Sequence, residues 1–458
     1  MHALVLTLFV TVFASEYLAR QLAVVHRYFT LLPELLSAVA MLAIVALALS
    51  GRRWQLDWRY GLFIGLYLFV ILFGFLAQAV PTGAVVAGLR SYIKFLPFFL
   101  LAALDPFSTR QLKIQVGLLG GILLLQAPLS VYQRFVQFAH QMHTGDPVRG
   151  MTTSSGVLSV LLVCAIAVVV TLYLRRHIRL PILLVAVAAF GLPTTLNETK
   201  STLILLPLAV LGPLFFMPRG ARVAARLVPL IAVGAAAAVA FVAVYDRQIE
   251  HRSDGSTILS FFTEGSAEKY LYTGAAEGEE RWIGRFDSIS LALQGVANDP
   301  FALAFGLGAG NVSESFLPGF EGRYASYFNR FGVNVTQVST FIWEIGLVGL
   351  ATVLLACWFV WRDARLLARG DGFEGALGQA WAVITMILVL ALVYNAAFSI
   401  NEIAYLFWFY SGVVAGSAHA LRTAARRRKR EPAPVWQAGA AFGTRALPRA
   451  LVPDARQT

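Results

Sequence analysis

Two cations four residues apart, Arg90 and Lys94, lie inside an otherwise apolar run. On a helix they share a face, and at mid-membrane depth each costs about 2.5–3.5 kcal/mol on insertion scales. Two readings follow: an anion lies against them, or their long stems snorkel toward a headgroup. A third cation, Lys200, ends the polar stretch Asn197-Glu198-Thr199-Lys200 and leads into another apolar run. A helix N-terminus disfavours a cation, so either a bound anion or Glu198 compensates it.

The longest polar interruption, Tyr245 to Val338, holds further candidates. Arg281 and Arg285 are one helical turn apart, share a face with Ser288, and are followed by Asp287. The helix they open is expected to run to Ala297 and to break at Asn298-Asp299-Pro300. Gly306, Gly308 and Gly310 then form a Gly-rich turn. Its spacing and context do not fit a dinucleotide site, but such a turn brings backbone N–H groups to a phosphate. Asn395, Asn401 and Glu402 cluster later in the chain and read as turn formers with an interfacial carboxylate. His140 and His143 are three apart with no further ligand nearby, so no metal site is expected. Walker, zinc and Ser/His/Asp patterns are absent from the sequence.

The elements that position these residues are transmembrane helices. Hydrophobic residues make up 58% of the chain and charged residues 14%, with mean hydropathy +0.69. Soluble domains carry about 25% charged residues, so an all-α polytopic membrane protein is expected. Cys164 and Cys357 both fall in apolar runs, against a disulfide framework or a thiolate metal site. The net charge of +12 comes from basic residues clustered in short gaps between apolar runs, which argues for membrane topology rather than nucleic-acid binding.

A span needs about 20 mostly apolar residues, and about twelve runs approach that length. They are Ala3–Tyr17, Leu31–Ser50, Gly61–Val80, Val85–Leu104, Ile114–Phe135, Gly156–Leu174, Leu180–Leu192, Ser201–Met217, Leu227–Val244, Ser339–Trp361, Gln379–Ala397 and Ile403–Leu421. The first lacks the Lys/Arg-bearing start of a signal peptide and reads as a span. Basic clusters recur in alternate gaps: Arg52/Arg53/Arg59, Arg110/Lys113, Arg175/Arg176/Arg179, Arg219/Arg222/Arg226, Arg362/Arg365/Arg369 and the tail from Arg422. The positive-inside rule then puts both termini in the cytoplasm and makes 245–338 one large outer loop between spans nine and ten. Residues 1–421 form one integral domain on this reading. The tail 422–458 lies on the inner leaflet or is disordered.

This order of features resembles the O-antigen ligase / O-antigen polymerase family of bacterial inner-membrane proteins. The resemblance rests on the single large outer loop, on Arg285, Pro300 and Gly306/Gly308/Gly310, and on Glu344/Gly346/Leu347/Gly349 within Phe341–Leu350. Thr199-Lys200-Ser201 stands where the family carries a small residue and a cation. Family ligases carry a His just before the Glu-x-Gly helix; here the sequence reads Asn334-Val335-Thr336-Gln337-Val338-Ser339. A polysaccharide polymerase therefore matches better than a ligase.

The resemblance implies transfer of a glycan from an undecaprenyl-diphosphate carrier to a sugar hydroxyl, with no metal and no cofactor. Arg90, Lys94, Lys200, Arg281 and Arg285 would hold the diphosphate. Lys200 and Arg285 would also be catalytic, and Asp287, Glu344, Glu198 or Glu402 would position the acceptor. Trp282, Tyr324, Tyr327 and Phe328 would stack on sugars, or form an interfacial aromatic belt. The implied partners are the lipid-linked oligosaccharide, membrane lipids and other polysaccharide-assembly proteins, not nucleic acid. A lipid-linked glycan flippase is the competing class; it usually shows two comparable halves, and no internal repeat is visible here.

Overall fold

The structure is a computed structural model and describes residues 1–50, 56–141, 145–217, 224–247, 257, 260, 263, 266–272, 283–315, 319–325 and 335–430. These residues are helical, with no strand among them. Nine of the described helical segments are long and apolar enough to cross a membrane, and two more, Leu180–Leu196 and Ser201–Phe215, are apolar but shorter. The protein is thus a polytopic α-helical membrane protein.

In chain order the helices are α1 (His2–Glu16), α2 (Leu32–Leu49), α3 (Trp58–Ala77), α4 (Thr82–Ile93), α5 (Leu96–Leu104), α6 (Thr109–Leu124), α7 (Gln126–Tyr132), α8 (Ser155–Leu174), α9 (Leu180–Leu196) and α10 (Ser201–Phe215). There follow α11 (Ala224–Arg247), α12 (Ser266–Leu271), α13 (Arg285–Ala297), α14 (Pro300–Phe305), α15 (Gln337–Leu367), α16 (Gly372–Ala391) and α17 (Asn401–Arg430).

Three expectations need correcting. The run Val85–Leu104 is two helices, because Pro97 has no N–H and its ring clashes with the carbonyl four residues back. Lys94 becomes the C-cap of α4 and Arg90 lies in its last turn, where the dipole favours cations. The helix in the polar interruption begins at Arg285 rather than Arg281, which lies outside the described residues. The start of the tail is ordered, since α17 continues from its apolar part to Arg430; residues 431–458 are not among those described.

The apolar part of α17 is the centre of the bundle, with both of its faces covered. Trp408 stacks between Phe63 (5.5 Å) and Phe95 (4.8 Å) on one side. On the other, Phe407 stacks on Trp381 of α16 (5.9 Å). Gly412 gives α5 its close approach: a Cβ there would strike the Phe99 carbonyl.

The helix ends sort into two faces. At one, the tail end, α3, α15 and α17 meet in a closed charge network. Arg59 Nη2 pairs with Asp57 (2.9 Å), and Arg422 pairs with Asp57 (2.9 Å) and Asp363 (2.6 Å). The Tyr60 hydroxyl donates to Asp363 (3.0 Å). The hydrogen bond from Arg59 holds the Asp57 carboxyl down to about 2. At the same end Arg175 donates to Gly370 O (2.9 Å) and Thr109 to Glu374 (3.0 Å). The opposite face, the loop end, gathers the starts of α2, α8, α10, α15 and α17 with α13 and α14.

Candidate functional site

The loop end is organised by a break in α15. Gly346 has φ 65° and ψ −171° inside that helix, a region open essentially to glycine alone. The break leaves the Trp343 and Glu344 carbonyls without helical partners. Leu307 N–H donates to Trp343 O (2.7 Å) and Gly308 N–H to Glu344 O (3.1 Å). Gly306, Gly308 and Gly310 all have positive φ. Gly306 packs on the Glu344 backbone and Gly310 on the α4 backbone at Ala84 and Gly88, each too close for a Cβ. The Gly-rich turn is therefore a plug seated between α4 and the broken helix. Its N–H groups at 307 and 308 are used within the protein, which corrects its reading as a phosphate cradle.

Glu344 belongs to the same plug and is buried, 2% exposed. It accepts from the Tyr92 hydroxyl (2.7 Å) and from the N–H groups of Ser313 (2.8 Å) and Val312 (3.4 Å). All of these partners are structural, so its geometry suits locking the turn rather than acting on an acceptor. Tyr324 is half-buried and packs on the small apolar cluster of Ala292, Val296, Val312 and Trp343, in place of an exposed sugar platform.

Beside the plug stands a charged group around the hairpin between α16 and α17. Arg90 Nη2 pairs with Glu34 of α2 (2.9 Å). Lys94 Nζ donates to Ser399 O (3.2 Å) and lies within electrostatic range of Glu34, Glu402 and Glu16. Gln337, at the start of α15, clamps Ser399: its Oε1 accepts the Ser399 N–H (2.9 Å). Glu402 is fully buried and accepts from the Thr153 N–H (2.8 Å) and hydroxyl (2.9 Å). Arg149, four residues before Thr153, donates to its carbonyl (3.4 Å) and acts electrostatically on Glu16.

Arg285 lies beside this group, and the segment that carries Lys200 is tied to the start of α8 next to it. The Arg285 guanidinium lies over the Tyr394 ring (5.5 Å), and Tyr394 and Asn395 flank Gly156 at the start of α8. Asn197 Nδ2 donates to Ser155 O (3.0 Å) and bonds Ser159, and its Oδ1 accepts the Thr199 N–H (3.2 Å), tying down the turn that carries Lys200. Glu198 adopts φ 59° there and pairs with the buried Arg134 (3.0 Å). Asp287 lies in the first turn of α13, whose Ser288 faces Thr336, the N-cap of α15, and Ser339 in its first turn.

Of the residues singled out from sequence, Arg90, Lys94, Lys200, Arg285, Asp287, Glu198 and Glu402 all lie at the loop end. Arg281, Trp282, Tyr327, Phe328 and His143 are outside the described residues. Sequence reasoning missed Glu16, Glu34, Arg134, Arg149, Gln337 and Ser399. Glu34 had a readable signal, as a carboxylate near the start of an apolar run. Gln337 and Ser399 had none. Neither a family model nor a curated protein matches this chain.

Proposed function

We propose that the protein is a membrane glycosyltransferase that extends a polymer from undecaprenyl-diphosphate-linked oligosaccharides at the outer face of a bacterial inner membrane. On this reading the chain crosses the bilayer twelve times, both termini are cytoplasmic, and the loop end faces outward. The observation that carries it is the gathering of Arg90, Lys94 and Arg285 around the α16–α17 hairpin at the loop end.

The physical logic is electrostatic. A diphosphate leaving group gains negative charge as the sugar departs, and fixed cations in a low-dielectric site stabilise that change most in the transition state. Lys94, Lys200 and Arg285 supply it. Arg90 and Glu34 set the position of the α4 end. Glu402 replaces Glu344 as the preferred acceptor-side carboxylate, because it lies within electrostatic range of Lys94 and is oriented by Thr153. A base positioned on the acceptor hydroxyl contributes about 10²–10⁴-fold.

A transporter of lipid-linked glycan is the second reading, favoured by the buried acids Glu16 and Glu402 beside Lys94, since intramembrane acid–base groups mark transport and proton pathways. Purified protein in liposomes with an undecaprenyl-diphosphate-linked oligosaccharide separates the two. Longer glycans support transfer; relocation across the bilayer without extension overturns it.

A further inference from the structure

On the far side of α17 from Trp408, a cavity of about 310 Å³ runs between α6, α8, α9, α16 and α17. Its lining extends along α8 from Leu161 to Leu172, about 16 Å of helix axis. Only apolar side chains and glycines line it, apart from Tyr410 and Trp381. Gly117 and Gly120 of α6 explain why it exists. Glycines in membrane helices usually let a neighbouring backbone approach. Here a Cβ at either position would meet nothing within 4 Å, so α6 stands off from its neighbours. Ile182 and Leu124, both exposed, border the cavity and leave it open on the bilayer side.

Charge identifies what enters. At the tail end the lining finishes at Ile178, which sits between His177 and Arg179, and at Val116, one turn from Lys113. Phe373 brings these elements together: Lys113 Nζ lies 5.8 Å from its ring centroid and the His177 ring 5.9 Å. Lys113, Arg176 and Arg179 are all exposed there. The acids close by, Asp371 and Glu374, face Arg175 and Thr109 respectively. A basic rim at the mouth of a helix-lined apolar slot is the pattern that recognises an anionic headgroup.

We propose that this cavity binds an anionic glycerophospholipid, with one acyl chain in the slot and its phosphate at Lys113, Arg176 and Arg179. The site is separate from the loop-end group: α17 stands between the slot and Lys94, and the basic rim lies at the opposite end of the bundle. It does not depend on the glycosyltransferase reading.

The test uses the full chain in phosphatidylcholine nanodiscs, with phosphatidylglycerol or phosphatidylcholine spin-labelled near the chain end. The expected result is an immobilised component formed preferentially by phosphatidylglycerol. Lys113→Gln, Arg176→Gln and Arg179→Gln together should erase that preference, by about fivefold per charge removed. Gly120→Leu should abolish immobilisation, whereas Gly120→Ala should keep it. Equal retention of both lipids, immobilisation that survives Gly120→Leu, or displacement of phosphatidylglycerol by equimolar undecaprenyl phosphate would each overturn the proposal. If Gly120→Leu does not fold, the surface triple variant still decides the headgroup arm.

Discussion

The two ends of the bundle both concentrate charge, but they do so differently. At the tail end Asp57, Arg59, Tyr60, Asp363 and Arg422 close on one another with two cations facing two carboxylates; Arg422 Nη2 lacks hydrogen-bond geometry there but lies 2.6 Å from the Asp363 carboxylate. At the loop end the charged side chains are joined by buried polar atoms that have no hydrogen-bond partner among the described residues: Glu34 Oε2, Arg149 Nε, both amide atoms of Asn395, Asn401 Oδ1, Ser201 Oγ and Thr202 Oγ1. An unmet buried polar group costs about 1–3 kcal/mol. Charge alone therefore does not distinguish a staple from a site in this protein. The distinction lies in whether the polar groups satisfy each other, and functional sites are where a fold tolerates such costs.

That contrast can be broken by substitution. The largest expected effect is at the staple. Asp363→Ala leaves Arg59 and Arg422 facing only Asp57 and should cost about 3–5 kcal/mol, the cost of breaking a buried pair by removing one partner. It should appear as a lower melting temperature in detergent, with the proposed glycan transfer per folded molecule unchanged. A normal melting temperature would remove the network from the stability of the fold.

Gly306→Ala comes next. It places a Cβ on the Glu344 backbone at φ 75° and ψ −173°, a glycine-only region where strain alone costs about 1–3 kcal/mol. It should unseat the plug, seen as faster proteolysis between α13 and α15, and slow transfer as a consequence. Unchanged proteolysis would show that the turn tolerates a side chain.

Lys94→Ala and Arg285→Ala should lower transfer by about 10²-fold, as loss of one transition-state donor does, while membrane levels and melting temperature stay near normal. Polymer of full length from either variant would take that residue out of the mechanism, and a large loss of stability would make the loop end another staple.

The smallest effect is a pH dependence. Asp57 is held down to about 2 in the folded protein, below the ordinary carboxylate range. Its contribution is therefore fully present above the ordinary carboxylate pKa of about 3.9 and disappears as pH falls toward 2. The melting temperature should drop over that window, less steeply in Asp57→Asn.

Much of this was legible beforehand for a local reason. Hydropathy and helix-breaking residues act over one or two turns, so most apolar runs became helices with ends close to those expected. Asn298-Asp299-Pro300 did end α13 and start α14. The break at Pro97 was readable in principle but was overridden by the apolar run around it. The site was legible only as a set of costly residues. Arg90 and Lys94 stood out because a charge in an apolar run is expensive, whereas their partners are ordinary residues 56 and 305 positions away in the chain.

By itself the sequence determined that the protein is a helical membrane protein, because burial of apolar area adds up residue by residue along the chain. It also marked which charges would need company. Only the tertiary structure decided which of them found it. It set Glu344 to lock a turn, made Asp57 and Asp363 a staple with Arg59 and Arg422, and left the polar groups around Lys94 and Glu402 incompletely matched. Pairing depends on the distance and direction between helices, and neither quantity is written in any local stretch of residues.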